Sequence, residues 1–475
     1  MKTDSKMFCA CKNGLGLEKE PNVNICSVCT AQPGTLPVPN AKAIESLQRV
    51  GLSLGCILRR SAKFDRKNYF YPDIPKGYQI SQYDEPFCEG GAIEINGRQF
   101  HITRVHLEED TGKSMHPSGT SYTLVDFNRA GVPLMELVTE PDISTGKEAS
   151  LFCRKLRQIL RYMDASDADM EKGQMRCEVN ISLYPEGADR LSGTKVEIKN
   201  LNSFKSIERA VEYETVRQTE ILESGKKIEQ ETRGWNETRG TTVSQRKKEA
   251  AHDYRYFPEP DIPPFQFTDE YAKQLRASLP ELPEAKIKRF VSEYELPLAD
   301  VLILTEEKEN ADYFEQTVSE LAAKAKTGEI SAPFVRTVKL AANYMLTELR
   351  KYLTESGQAI DDMHITSENY AEFIGYVADE KINSSAAQTV LAEMYRGGDN
   401  DPSHIIERLN LAQVNDTSEL EEVVSRVLAA NEKSVNDYRA GKQNAFQFLI
   451  GQIMKETKGK ANPKVVADIL RKKLK

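Results

Sequence analysis

The proline-rich stretch Pro258-Glu259-Pro260-Asp261-Ile262-Pro263-Pro264 separates two parts of the chain that follow different periodicities. Proline fixes φ and has no N–H to donate, so such a run neither continues a helix nor sits inside a sheet, and it marks the expected edge of a domain. Before it, apolar and polar residues alternate as they do in strands; from about residue 280 onward, apolar residues recur at helical spacing. That switch predicts an α+β class: an N-terminal mixed-sheet domain, then an all-helical domain and a small helical C-terminal tail.

Local signals place the elements. Glu94-Ile95-Asn96-Gly97-Arg98 sets Asn-Gly between two alternating runs, a strong hairpin cue, and Phe100 and Ile102 then share a face with Arg104 and His106. Met175 to Leu183 and Lys195 to Lys199 alternate as half-buried strands with a charged face. Thr145 with Glu148 forms a capping box for one helix, and a second starts near Ser203 and ends before Gly225. Phe334 to Leu353 is amphipathic. In the tail, Phe446, Leu449, Ile450, Ile453 and Met454 form an apolar stripe, and Asn462-Pro463 supplies an N-cap and first-turn proline. The expected domains are 1–276, 277–403 and 404–475.

The chain of 475 residues carries a net charge of -8, so it repels polyanions as a whole and must meet nucleic acid through a local basic patch. Such a patch lies between Gln452 and Lys475, with eight Lys or Arg against two acidic residues. No stretch approaches the roughly 20 apolar residues that span a bilayer, and the first twenty residues are charged rather than signal-like. These features predict a cytoplasmic protein without a membrane partner.

Four of the eight cysteines, Cys9, Cys11, Cys26 and Cys29, form two tight pairs. In a chain too long to need a disulfide framework, that spacing suits tetrahedral Zn²⁺ in a closed structural site. Cys56, Cys88, Cys153 and Cys177 stand singly and read as core.

His106-Leu107-Glu108-Glu109-Asp110-Thr111-Gly112-Lys113-Ser114, followed by Glu136, Glu140 and Asp142, concentrates carboxylates beside strand-like segments. Hard cations such as Mg²⁺ take carboxylate and phosphate oxygens, so the block reads as phosphoryl chemistry. It is not a P-loop, because Leu107 stands where the first glycine is required. Glu108 and Glu109 cannot both face one cleft if the strand continues through them. Glu136 lies in the apolar run Leu134 to Val138, where burying an unpaired carboxylate is costly; it reads as a metal ligand, the alternative being a buried ion pair with Arg129 or a neighbour. Phe64 to Asp73 interleaves two cations with four aromatics, a pattern that holds phosphate and stacks a base or forms an ordinary aromatic strand.

The segments KFDRKNYFYPDIPKGYQISQYDEP, RVHLEEDTGKSMH, LVDFNRAGVPLMELVTEPDI, GTKVEIKNLNSFKSIERAVEYE, DYRYFPEPDIPP and GQIMKETKGKANP together resemble the B subunits of aspartyl/glutamyl-tRNA amidotransferases, over nearly the whole chain. The resemblance implies an N-terminal cradle domain that uses ATP to phosphorylate the side-chain carboxylate of misacylated Glu-tRNA(Gln) or Asp-tRNA(Asn). It implies ammonia from a partner glutaminase, which is the amidase or A subunit, together with a small partner, the C subunit, and a tRNA-binding tail. No glycine-serine-rich amidase nucleophile segment is present in this chain, in keeping with that division of labour.

Carried over, the resemblance makes Glu109 and Glu136 the Mg²⁺ ligands and catalytic carboxylates; Lys67 and Lys195, chosen on charge and position, are the expected ATP-phosphate contacts, Lys67 also acting in catalysis. It also implies a strand with a Glu-Val-His segment upstream of Lys2 to Phe8, whose Glu and His complete the metal site; Met1 falls after it, which we read as a start assigned too late, the alternatives being a truncated gene and a divergent subunit. Two alternatives stand beside this reading: a zinc-dependent RNA-binding module without catalysis, and a kinase-impaired subunit lacking that strand.

Overall fold

The computed structural model describes residues 1–247, 254–413, 417–439, 441–457 and 460–474. It consists of two compact units, Met1–Leu282 and Pro283–Lys475. Among the described residues the first contains the sheets and the second only helices, the α+β arrangement expected from the change of periodicity.

The spine of the first unit is the long strand Arg98–Glu109. Asn96 and Gly97 both take positive φ, 52° and 78°, which lets a two-residue turn return the chain from Ala92–Ile95 with Ile95 opposite Arg98. On its other side the spine pairs antiparallel with Pro133–Thr139. That register sets Glu136 opposite His106 and Leu134 opposite Glu108. Directly opposed residues share a face and residues two apart share a face, so His106, Glu108 and Glu136 point the same way while Glu109 points the other.

A second sheet joins Cys177–Ile181, Val196–Leu201, Glu231–Asn236 and Thr241–Lys247. It is mixed, because Val196–Leu201 and Glu231–Asn236 run parallel and therefore need a crossover; the helix Phe204–Glu223 supplies it and packs Ile207, Ala210 and Val211 against Ile198 and Trp235. The Thr145–Glu148 capping box and the Ser203 N-cap both form.

The proline-rich stretch is not the edge of this unit. Phe257–Pro258 adds to Asp65–Asn68, which in turn pairs with Tyr78–Ser81, and Phe265–Gln266 pairs with Ser61–Ala62. Ile262 is buried in the main core, and Leu279 and Leu282 pack against it. Long-range pairing thus overrides the local breaker signal, and the compact unit runs to Leu282 rather than ending at 276.

The helical unit has two cores. The larger gathers Phe290, Phe314, Leu321, Val338, Tyr370, Phe373 and Leu391, and also Ile405 and Ile406 from the helix Pro402–Arg408. The smaller gathers Leu420, Val424, Leu449, Ile453, Val466 and Leu470, so the tail's own core begins after 404. Among the described residues no helix is long and apolar enough to cross a membrane.

Glu380 ties these two cores. It takes a left-handed φ of 55° after the helix Ser367–Ala378 and meets Lys464 at 2.9 Å and Arg336 at 3.3 Å, while Asn462 Nδ2 donates to it at 3.3 Å. Lys464, Asn462 and Arg336, in that order, hold its carboxyl down to about 2. A depressed carboxylate contributes stability above its unfolded range, and the contribution is lost as pH falls through the folded value. Because the groups are partly exposed, the pairs are worth about 1 kcal/mol or less each. Glu380→Gln should therefore unfold at a lower temperature than wild type at pH 7, with the gap narrowing toward pH 3; an equal gap at both pH values would refute the assignment.

Candidate active site

On the face of the spine that carries His106, Glu108 is buried and accepts a hydrogen bond from Ser81 Oγ at 2.9 Å. His106 Nε2 stands 4.0 Å from Glu108 Oε2 and 3.9 Å from Glu136 Oε2. One donor atom from each of the three lies within 4.8 Å of the others. Lys67, placed by Asp65–Asn68, sits 3.8 Å from Glu108, and Tyr69 and Tyr254 lie under its ammonium at 5.9 and 5.3 Å from their ring centres.

The electrostatics match a site waiting for positive charge. Burial raises Glu108 above the usual carboxylate range, with Lys67 opposing and Glu136 reinforcing the rise. Burial also holds His106 down to about 3, helped by Arg104 and Lys67, so its imidazole is neutral and can offer a lone pair. Among the described residues its buried Nδ1 has no hydrogen-bond partner. For Lys67, burial works against the charge, and Glu108, Tyr256 and Glu136 outweigh it.

The two carboxylates of the expected ligand pair lie on different faces of the sheet. Glu109 and Glu136 do not converge: Glu109 faces the opposite side of the sheet, where it meets Lys76 at 2.6 Å and accepts from the Ile80 N–H at 3.0 Å. There it lines a separate cavity of about 240 Å³ with Lys76, Tyr78, Phe8 and Cys9. Glu108 is the carboxylate that stands beside His106 and Glu136, and strand alternation is the reason. The cost of burial invoked for Glu136 does not apply either, since its side chain is 44% exposed, and Arg129 pairs with Asp110 at 3.4 Å instead.

The other expected phosphate contact is Lys195. It precedes the strand Val196–Leu201 and is exposed, whereas Lys199, four residues along the same face, is half-buried, pairs with Glu178 at 3.1 Å and lies in the field of Tyr254. Of the other carboxylates in the block, Asp110 pairs with Arg176, Glu140 accepts from Thr103 and Asp142 binds His101 and Arg190. Sequence reasoning missed Glu108, Ser81 and Tyr256. For Glu108 the signal was present, because it is two residues from His106.

The four cysteines Cys9, Cys11, Cys26 and Cys29 converge, their sulfurs within 4.8 Å of one another. Cys26 and Cys29 Sγ are 3.8 Å apart, the edge of a tetrahedron with zinc–sulfur bonds of about 2.3 Å. The Cys26 N–H donates to Cys29 Sγ at 3.1 Å, and the buried Lys6 ammonium lies 3.8 Å from the same sulfur. A hydrogen bond from Cys9 lowers Cys29 below the ordinary thiol range, and Cys9 rises in turn.

Comparison with known proteins places these features in a family. Residues 1–273 match the GatB/GatE catalytic domain and residues 312–474 match the GatB domain. The chain is 47% identical to the B subunit of the aspartyl/glutamyl-tRNA(Asn/Gln) amidotransferase of Caldanaerobacter subterraneus subsp. tengcongensis, over 99% of this chain and 96% of the relative. It is 46% identical to the protein of the same name from Carboxydothermus hydrogenoformans and 45% identical to that from Thermotoga neapolitana, each over 100% of this chain and 96% of the relative.

Proposed function

The chain belongs to the GatB family, the B subunits of the aspartyl/glutamyl-tRNA(Asn/Gln) amidotransferases, and from that premise we propose that its first unit phosphorylates the side-chain carboxylate of a misacylated tRNA. In the proposed sequence, a carboxylate oxygen of Glu-tRNA(Gln) or Asp-tRNA(Asn) attacks the γ-phosphorus of ATP and ADP leaves. Ammonia from a partner glutaminase then attacks the acyl carbon, phosphate departs, and the nitrogen loses a proton to give the amide.

The observation that carries this reading is the convergence of His106, Glu108, Glu136 and Lys67 on one face. The donor set fits the chemistry of a divalent ion: two carboxylates and a neutral imidazole, whose donor atoms lie within 4.8 Å of one another. Mg²⁺ bound there would neutralise charge on phosphate oxygens. The chain's own groups do the rest. Lys67 is held charged beside Glu108, where it can offset charge on the transferring phosphoryl group, and Ser81 fixes the Glu108 carboxylate.

The Cys9, Cys11, Cys26 and Cys29 cluster fits structural Zn²⁺, and Lys6 would partly offset the thiolate charge. The basic stretch Gln452 to Lys475, with Lys455, Lys460, Lys464, Arg471, Lys472 and Lys473 described and Lys458 and Lys475 outside the described residues, is our candidate for contact with tRNA backbone. A small third partner completes the proposed complex. The test is to reconstitute that complex and measure ADP release: it should require Glu-tRNA(Gln) or Asp-tRNA(Asn) and proceed in step with amide formation, and amide formation without ATP would overturn the proposal.

A further inference from the structure

Tyr83 and Tyr256 lie flat on one another, ring centroids 4.4 Å apart and planes 12° from parallel. The neighbouring tyrosine contacts, Tyr69 with Tyr71 and Tyr254 and Tyr254 with Tyr256, are all edge-on. The strand Asp65–Asn68 positions both members of the stack. Phe257 pairs with Arg66, so Tyr256, one residue earlier, comes level with Lys67. Ser81, the residue that hydrogen-bonds Glu108, pairs with Asp65; Tyr83 follows two residues later, its N–H donating to the Asp65 carboxylate at 3.0 Å.

The two rings have different surroundings. The Tyr256 phenol lies in the field of Lys67, Glu108 and Glu136, whereas Tyr83 is 54% exposed, and among the described residues no other ring or cation covers it. The pair thus reaches from the carboxylate cluster to solvent and leaves an aromatic face open at its outer end. Base–aromatic stacking needs such a face and tolerates any base, because it reads the π-surface rather than the edge.

We propose that the Tyr83–Tyr256 stack is a nucleobase platform on which an adenine ring lies against the open face of Tyr83. The inference rests on the reading of the adjoining cluster as a phosphoryl-transfer site. Adenine could come from ATP or from the 3′-terminal adenosine of the tRNA, and both offer the same flat ring at the end of a phosphate or ester that must reach the carboxylates.

The experiment compares wild type, Tyr83→Phe, Tyr83→Leu and Tyr83→Ala in the full chain with Mg²⁺ present. One arm measures affinity for ATP relative to inorganic tripolyphosphate; the other measures affinity for tRNA with and without its terminal adenosine. Wild type and Tyr83→Phe should prefer the adenine-bearing ligand by roughly ten- to a hundredfold in one arm. Tyr83→Leu and Tyr83→Ala should lose that preference, and the arm in which it is lost identifies the source of the base. The leucine variant keeps apolar bulk without a π-face, so it decides the matter if the alanine variant misfolds. Wild-type preference in both arms for Tyr83→Leu overturns the platform. If Glu136→Gln still abolishes ADP release in that case, the phosphoryl-transfer reading stands; if Glu136→Gln is also without effect, the reading beneath the platform fails as well.

Discussion

Glu108→Gln and Glu136→Gln are each expected to lower tRNA-dependent ADP release by about 10³-fold, more than the roughly 10–100-fold that losing an outer-shell partner of a metal costs. Glu109→Gln should leave that step within about tenfold of wild type. The contrast follows from strand geometry. Glu108 and Glu136 are placed on the His106 face by the register of Arg98–Glu109 against Pro133–Thr139, and Glu109 is engaged by Lys76 on the other. Glutamine keeps size and hydrogen bonding but removes the charge, so a loss in both Glu108→Gln and Glu136→Gln isolates the charge. The measurement is single-turnover ADP formation from ATP in the presence of misacylated tRNA. Equal losses at Glu108 and Glu109 would show that the sheet face does not decide the role.

Removing the zinc ligands should have the second largest effect. Purified protein should carry zinc in equal proportion to chain, and Cys26→Ser or Cys29→Ser should lose it. Structural zinc in small domains is bound by about 10–16 kcal/mol in favourable cases. Here the neighbouring Met7 and Phe8 are also buried in the main core, so part of the order survives without metal. A loss of several kcal/mol corresponds to a fall of roughly 10 °C in melting temperature for a unit of this size. Limited proteolysis should then cut first between about residues 9 and 37, the segment the cysteines gather. Metal analysis that finds no zinc, or a cysteine variant that keeps the wild-type melting temperature, would remove the structural role.

The parts of this molecule that were legible in the sequence are those decided locally. Asn96-Gly97, the Thr145–Glu148 box, Ser203 and Asn462-Pro463 each act within one turn of chain, and the structure has the turn or cap at each. The four cysteines were legible because ligand spacing is itself the signal. The choice between Glu108 and Glu109 was not, because it depends on which residue of a distant strand lies opposite. His106 offered the needed reference two positions away, and the Glu136–His106 register completes it.

One further misreading shares this cause. The stretch Pro258 to Pro264 has the composition of a linker, yet Phe257–Pro258 pairs with Arg66 and Asp65, nearly two hundred residues earlier in the chain. Tyr254 and Tyr256 come to the site through the same pairing, and no local pattern announces it. Arg66 shows the converse. It neighbours Lys67 in sequence, but adjacent residues on a strand face opposite ways, and Glu259 accepts two hydrogen bonds from it at 2.7 and 3.0 Å.

The central claim, that His106, Glu108 and Glu136 form a divalent-ion site on one face of the sheet, is tested most directly by Mn²⁺ binding followed by electron paramagnetic resonance with ATP present. Wild type and Glu109→Gln should bind the ion with similar affinity, and Glu108→Gln and Glu136→Gln should each weaken it by at least about a hundredfold. An ion retained by Glu108→Gln and lost by Glu109→Gln would contradict the account.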